Sequence, residues 1–239
     1  MEKEINKLKQ LFKAIKNEGW IKSKRKGPTG IGYTFECLIN KEEDALPMPD
    51  FNGIEIKTIR SRSRRKIHLF SLVPDGHCEE PIKRIINKLG YTTKDNLKKR
   101  CYVEVYGNKY TQLGYYKRIK LKDNPDLKRI ELIGINASNN SLCLNVSWSY
   151  DKLKERIESK TSTLAVIKAD NKEIKGEEYF LYEKINFYKL KNFDNFIELI
   201  NNGMIKVNIK IEEEYCNSHG IDFSILDKNI EMLYEKINL

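Results

Sequence analysis

The chain has 239 residues, 40% hydrophobic and 10% aromatic, which excludes a disordered polymer and suffices for one large domain, or one domain in two lobes. Forty-four Lys and Arg against 34 Asp and Glu give a formal net charge of +10, which suits a polyanionic partner, most often nucleic acid, and on charge alone equally suits a merely solvated lysine-rich surface. The five cysteines (37, 78, 101, 143 and 216) are odd in number and lack Cys-x-x-Cys spacing, and the N-terminal stretch has no long apolar run, so a cytoplasmic, reducing setting is expected, without disulfides, signal peptide or membrane span.

Ile5, Leu8, Leu11, Phe12 and Ile15 recur at helical spacing, which predicts an amphipathic helix over 2–17, ending near Gly19. A basic, Gly-rich connector, KSKRKGPTGIG, follows. A second helix is expected from about Tyr33 to Asp44, broken by Pro47 and Pro49. Ile54, Ile56 and Ile59 mark a short strand. KIHLFSLV (66–73) marks another, with RSRSRRK between them as a hairpin or loop. Residues 81–90 read as helix. CYVEVYG, YYKRIKLK, KRIELIGI and SLCLNVSW read as strands. DKLKERIESK is a helix and TLAVIKAD a buried strand. EEYFLYEKINFYKL is a strand, NFDNFIELINNG a helix and MIKVNIKIEEE a strand. A loop around His219 and a closing helix from about Ile225 complete the chain. The mixture predicts an α/β (α+β) fold, with a mixed central sheet flanked by helices.

The stretch PDFNGIEIKTI carries the chemistry. In a strand, residues two apart share a face, so Glu55 and Lys57 project together while Ile54 and Ile56 point to the core. Asp50 follows a proline-forced bend and can return beside Glu55. Two carboxylates make a hard-oxygen site suited to Mg²⁺, and Lys57 can orient water or offset charge on a phosphate. Acid-x-Lys alone is common in a chain that is 33% charged, and a solvated strand edge is the competing explanation. The context adds weight. Glu36 lies on the preceding helix. Lys22, Lys24, Arg25 and Lys26 flank one side, and Arg60, Arg62, Arg64, Arg65 and Lys66 the other. GPTGIG adds backbone amides and the Thr29 hydroxyl near a helix N-terminus. His77-Cys78 and Cys216-x-x-His219 lack finger-like spacing, so no structural zinc is expected.

The run KGPTGIGYTFECLINKEEDALPMPDFNGIEIKTI resembles the active-site region of the MutH-like nucleases, and is most similar to the MvaI/BcnI type II restriction endonucleases. Their Lys-Gly-x-x-Gly, helical Glu, Asp and Glu-x-Lys fall on Lys26, Gly27, Gly30, Glu36, Asp50, Glu55 and Lys57. IHLFSLVP, SWSYDKL, LAVIKAD and NNGMIKVNIKI extend the likeness over nearly the whole chain. The resemblance implies a Mg²⁺-dependent PD-(D/E)XK endonuclease, with Mn²⁺ able to substitute. It implies one MutH-like domain over 1–239, in two lobes around double-stranded DNA. The catalytic lobe would include roughly 20–110 and the recognition lobe the region near 200–239. It implies a monomer that cuts one strand at a time and is paired functionally with a DNA methyltransferase. Asp50 and Glu55 would hold metal, Lys57 would act on water and phosphate, and Glu36 would complete the acidic cluster.

Lys24, Arg25, Lys26, Thr29, Arg60, Arg62, Arg64, His219 and Asp222 are the expected DNA contacts. In NSHGIDFSI, Ser224 stands where the relatives carry an arginine, the usual reader of guanine, so their CC-N-GG type of target is not carried over. A mismatch-repair nicking enzyme and a catalytically silent DNA-binding module are the alternatives. Intact Asp50, Glu55 and Lys57 argue against the latter.

Overall fold

The computed structural model describes residues 1–239 except 41–47, 62–65, 78, 94–95, 115–116, 214–219 and 239, and omits the side chains of 93, 96 and 97. In chain order the elements are α1 (Glu2–Asn17), β1 (Trp20–Lys22), α2 (Gly30–Leu38), β2 (Glu55–Arg60), β3 (Lys66–Ser71), α3 (Glu80–Leu89), β4 (Tyr91–Thr93) and β5 (Asn96–Val105). Then come β6 (Thr111–Leu113), β7 (Lys117–Asn124), β8 (Arg129–Asn136), β9 (Ser141–Ser149), α4 (Tyr150–Thr161), β10 (Thr163–Ile174) and β11 (Glu177–Leu190). The last are α5 (Phe193–Asn201), β12 (Ile205–Glu212), β13 (Ile221–Leu226), α6 (Ile230–Leu233) and β14 (Tyr234–Ile237).

By contacts the chain divides into two units, one of residues 1–67, 158–191 and 230–239, the other of 68–157 and 192–229. Neither follows chain order: residues 68–110 fall in the second unit and 230–239 in the first, whereas the sequence reading grouped them the other way.

The first unit holds a mixed sheet of order β1-β11-β10-β2, with β14 also pairing β11. β2 runs parallel to β10, with Glu55 opposite Leu164 and Lys57 opposite Val166, while the other pairs are antiparallel. TLAVIKAD is the continuously apolar run expected of a strand covered on both faces, and Leu164 to Ile167 are at most 1% exposed. The predicted stripe of α1 (Ile5, Leu8, Phe12 and Ile15) packs with Ile31 and Phe35 of α2 and with Ile54 and Ile56. Each such fully buried side chain contributes about 1.5–3 kcal/mol relative to exposure. This core fixes the floor on which the chemical residues stand.

The second unit contains a sheet of order β3-β13-β12-β5-β4 and a four-stranded antiparallel sheet, β6-β7-β8-β9. Its aromatic centre stacks Phe70 on Phe223 at 5.1 Å, with Trp148 edge-on to Phe223 at 5.7 Å. The Trp148 indole N–H donates to the Leu72 carbonyl at 3.0 Å. α5 starts on Asn192, whose side chain accepts the Asn195 N–H.

Three expectations change. α2 begins at Gly30, three residues earlier than predicted, and ends at Leu38, with Ile39 as its cap and a turn at 39–40; residues 41–44 of the predicted span lie outside the described residues. Of the hairpin and the loop expected at RSRSRRK, the hairpin is excluded, because β2 and β3 enter different sheets. The closing helix is replaced by β13, one short helix and β14. Ile221, Phe223 and Ile225 alternate at the strand period, are fully buried, and lie opposite Ile209, Val207 and Ile205 of β12. That pairing replaces the loop expected over 221–224 and the start of the helix expected from Ile225. The short strands β1, β4, β6 and β14, each of three or four residues, were not foreseen.

Candidate active site

The segment before β2 is a two-residue hairpin. Phe51 and Ile54 exchange backbone hydrogen bonds of 2.9 and 2.8 Å, and Asn52 and Gly53 between them have φ of +44° and +87°. Positive φ at both central positions is the signature of the tight hairpin turn that Asn-Gly favours. The turn reverses the chain and brings Asp50 back alongside β2. There Asp50 Oδ2 accepts the Ile56 N–H at 2.9 Å. Asn52 Nδ2 ties the turn to α1 by donating to Glu4 Oε2 at 2.6 Å.

Glu55 and Lys57 share a face of β2, as the strand period requires. Lys57 Nζ donates to Glu55 Oε1 at 2.6 Å. Glu55 is only 1% exposed. Its second oxygen, Oε2, is buried without a hydrogen bond and lies 3.5 Å from the ammonium of Lys160. Lys160 sits in the last turn of α4 and also donates to the Met48 carbonyl at 3.4 Å. Burial holds the Glu55 carboxyl above its ordinary pKa; the charge of Asp50 adds to this, while Lys57 and Lys160 oppose it. The Tyr234 phenol, buried near Thr161, is also pushed well up by burial, with a further push from the Glu55 charge.

Lys160 and Tyr234 were absent from the sequence reading. Lys160 is one charge in an amphipathic helix, and Tyr234 one aromatic near the C-terminus. Only the packing of α4 and β14 brings them to Glu55.

Glu36 lies on α2. A Cβ on Gly32 would fall 3.2 Å from Thr58 Oγ1 and 3.8 Å from Glu36 Oε1, so glycine lets α2 approach β2 there. Thr58 alternates to the face opposite Glu55 and Lys57. Among the described residues no three His, Cys, Asp or Glu side chains converge to hold a cation. The carboxylates on the chemical face are Asp50 and Glu55. Cys37, Cys101 and Cys143 are free thiols.

The basic connector forms a built loop. Lys24, Lys26 and Thr29 are exposed, and the Arg25 guanidinium stacks 3.7 Å from the Tyr33 ring centre. Gly27 has φ +90°, and a Cβ on Gly30 would stand 2.4 Å from the Arg25 carbonyl oxygen, so the loop closes onto the start of α2 only with glycine there. Residues 22–27 and the turn between β10 and β11 enclose a cavity of about 480 Å³. Arg60 is largely committed: it donates to both Glu178 oxygens at 3.1–3.2 Å and to the Pro28 carbonyl at 3.2 Å, clamping this loop. Arg62, Arg64 and His219 lie outside the described residues.

Asp222 belongs to the second unit, on β13 opposite Asn208 of β12. Asn208 Nδ2 donates to Asp222 Oδ1 and, at 2.8 Å, to Ser224 Oγ. His68 Nε2 stands 3.9 Å from the same Asp222 oxygen, and the Asn208 Oδ1 is buried without a hydrogen bond. Ser224, at 1% exposure, is an interior member of this network.

The chain matches the model of the MvaI/BcnI restriction endonuclease family over residues 9–234. It is similar to the solved structure of restriction endonuclease MvaI in complex with its cognate DNA substrate, at 28% identity and a TM-score of 0.89, over 99% of this chain and 98% of that one. The structure of MvaI in the absence of DNA matches at the same identity and coverage with a TM-score of 0.62. No curated protein matches the chain by sequence. A family match spanning almost the whole chain, on a fold that agrees with MvaI end to end, establishes that this protein belongs to the MvaI/BcnI restriction endonuclease family.

Proposed function

We propose that this type II restriction endonuclease cuts double-stranded DNA with a divalent cation held at Asp50 and Glu55, Mg²⁺ with Mn²⁺ able to replace it, one strand at a time and as a monomer. The observation that carries this reading is the face of β2. It has a buried carboxylate oxygen without a hydrogen bond, a second carboxylate near it, and a lysine 2.6 Å from the first. Hard oxygen donors, few in number and incompletely satisfied, fit a cation that fills its remaining positions with water and phosphate oxygen.

Such a cation polarises the phosphoryl group and makes water more acidic. Asp50 is held for this task by the Ile56 N–H, and Glu55 by its rigid strand and near-complete burial. Lys57 orients the attacking water and offsets charge developing on the phosphate. The water oxygen bonds to phosphorus, an ester P–O bond breaks, and the water's proton ends on the leaving oxygen. Lys24, Lys26 and Thr29, exposed on the connector, and Arg25, stacked on Tyr33, are the phosphate-facing groups. Arg60 supports them by holding the Pro28 carbonyl. Choice of sequence is assigned to the second unit, with Asp222 and His219 as the base-facing residues, and a partner methyltransferase protects the host sites.

Purified protein with Mg²⁺ and plasmid or phage DNA tests this. Discrete fragments, whose sequenced ends give the target, are expected. Nicking confined to hemimethylated sites would favour the mismatch-repair reading, and binding with no cleavage in Mg²⁺ or Mn²⁺ would favour the silent module. Affinity should also fall steeply with salt, because each neutralised phosphate contributes roughly −0.9 to the slope of log K against log salt. A flat salt profile contradicts the phosphate-facing role of the connector.

A further inference from the structure

Lys160 stands at the chemical face without belonging to the Asp50–Glu55–Lys57 segment, and its contacts set it apart from Lys57. Lys57 makes a short bond of 2.6 Å to Glu55 Oε1. Lys160 reaches the opposite oxygen at 3.5 Å and the Met48 carbonyl at 3.4 Å, with 19% of its side chain exposed. The oxygen it faces is buried and has no hydrogen bond. A buried carboxylate tolerates that only with a positive charge nearby. With Asp50 and Lys57, the two pairs of opposite charges cancel. A flexible, unbranched ammonium is suited to a position it must leave.

We propose that Lys160 is the counter-ion of the metal-free site: its ammonium holds Glu55 Oε2 until a divalent cation takes that oxygen, so cation entry and Lys160 withdrawal are one exchange. This rests on the assignment of Glu55 as a metal ligand. Lys160 is a positioning residue for that ligand. It keeps the buried carboxylate neutralised and its oxygen vacant of other hydrogen bonds. It also sets a threshold, because a cation must displace a like charge to bind.

The test uses the full chain without DNA, as wild type, Lys160→Met, Lys160→Gln, Lys160→Arg and Glu55→Gln. Mn²⁺ binding is measured by calorimetry, and melting is followed in EDTA and in saturating Ca²⁺. Lys160→Met and Lys160→Gln should bind Mn²⁺ on the order of tenfold more tightly than wild type, because the competing charge is gone. Both should melt lower than wild type in EDTA, and the gap should close in Ca²⁺. Lys160→Arg keeps the charge and should bind no more tightly than wild type. Equal or weaker Mn²⁺ binding by both neutral variants overturns the exchange. A melting deficit of the same size in EDTA and Ca²⁺ reduces Lys160 to packing and overturns it too. Binding that requires Glu55 but ignores Lys160 leaves the metal site standing and removes only the exchange. Absence of Glu55-dependent binding in every protein removes the metal site and this inference together.

Discussion

The two units each bury a polar oxygen without a hydrogen bond, Glu55 Oε2 in one and Asn208 Oδ1 in the other, but they arrive there by different routes. The Glu55 face is charged and mostly local. Asp50, Glu55 and Lys57 lie within eight residues, and one Asn-Gly turn and one strand aim them. The Asn208 face is mostly neutral and assembled across strands. It joins His68, Asn208, Asp222 and Ser224 from three strands of one sheet. A reaction common to every phosphodiester needs fixed charges in fixed order, which a short segment can encode. Reading a base sequence needs donors and acceptors that can vary singly, and a cross-strand face offers those.

The sharpest way to break this contrast is to remove the local charges. Asp50→Ala or Lys57→Ala should lower cleavage by at least about a thousandfold, while DNA binding measured in EDTA persists. A fully active Asp50→Ala enzyme would mean that the chemistry lies elsewhere. Next in size, Asp222→Ala should change which sequences are cut, by about 1–3 kcal/mol per affected base pair, and leave Mn²⁺ affinity unchanged. Loss of cleavage on all DNA with unaltered preference would erase the division of labour between the two faces.

Gly53→Ala probes the turn itself. A side chain at φ +87° should cost about 1–2 kcal/mol of stability by chemical denaturation, and cleavage should fall with it as Asp50 shifts. Unchanged stability would show that the turn is not held in this conformation.

The smallest effect is in pH. Burial raises the folded pKa of Glu55, so the folded metal-free protein holds that proton more tightly than the unfolded chain. The resulting stabilisation is fully present below the unfolded carboxyl pKa and is lost as pH rises through the raised folded value. In EDTA, wild type should therefore lose stability relative to Glu55→Gln as pH climbs through that window. A difference constant in pH would contradict the raised pKa.

Much of this was legible before folding. α1, α3, α4, α5 and the long strands β10 and β11 carry strong periodicity, because one-sided or two-sided burial imprints a pattern on consecutive residues. The Glu55–Lys57 pairing followed from the strand repeat alone. The Asn-Gly turn signal is equally visible in the sequence.

What the sequence by itself determined is the local grammar: which segments are helix or strand, and that an acid, a turn, an acid and a lysine share one face. Only the tertiary structure decided that Lys160 and Tyr234 converge on Glu55, that Arg60 clamps Glu178 rather than standing free, and that 221–226 is a strand. Those facts depend on partners roughly 100 or more residues away, or on sheet pairing. The energy of such contacts belongs to the pair, and neither segment carries it alone.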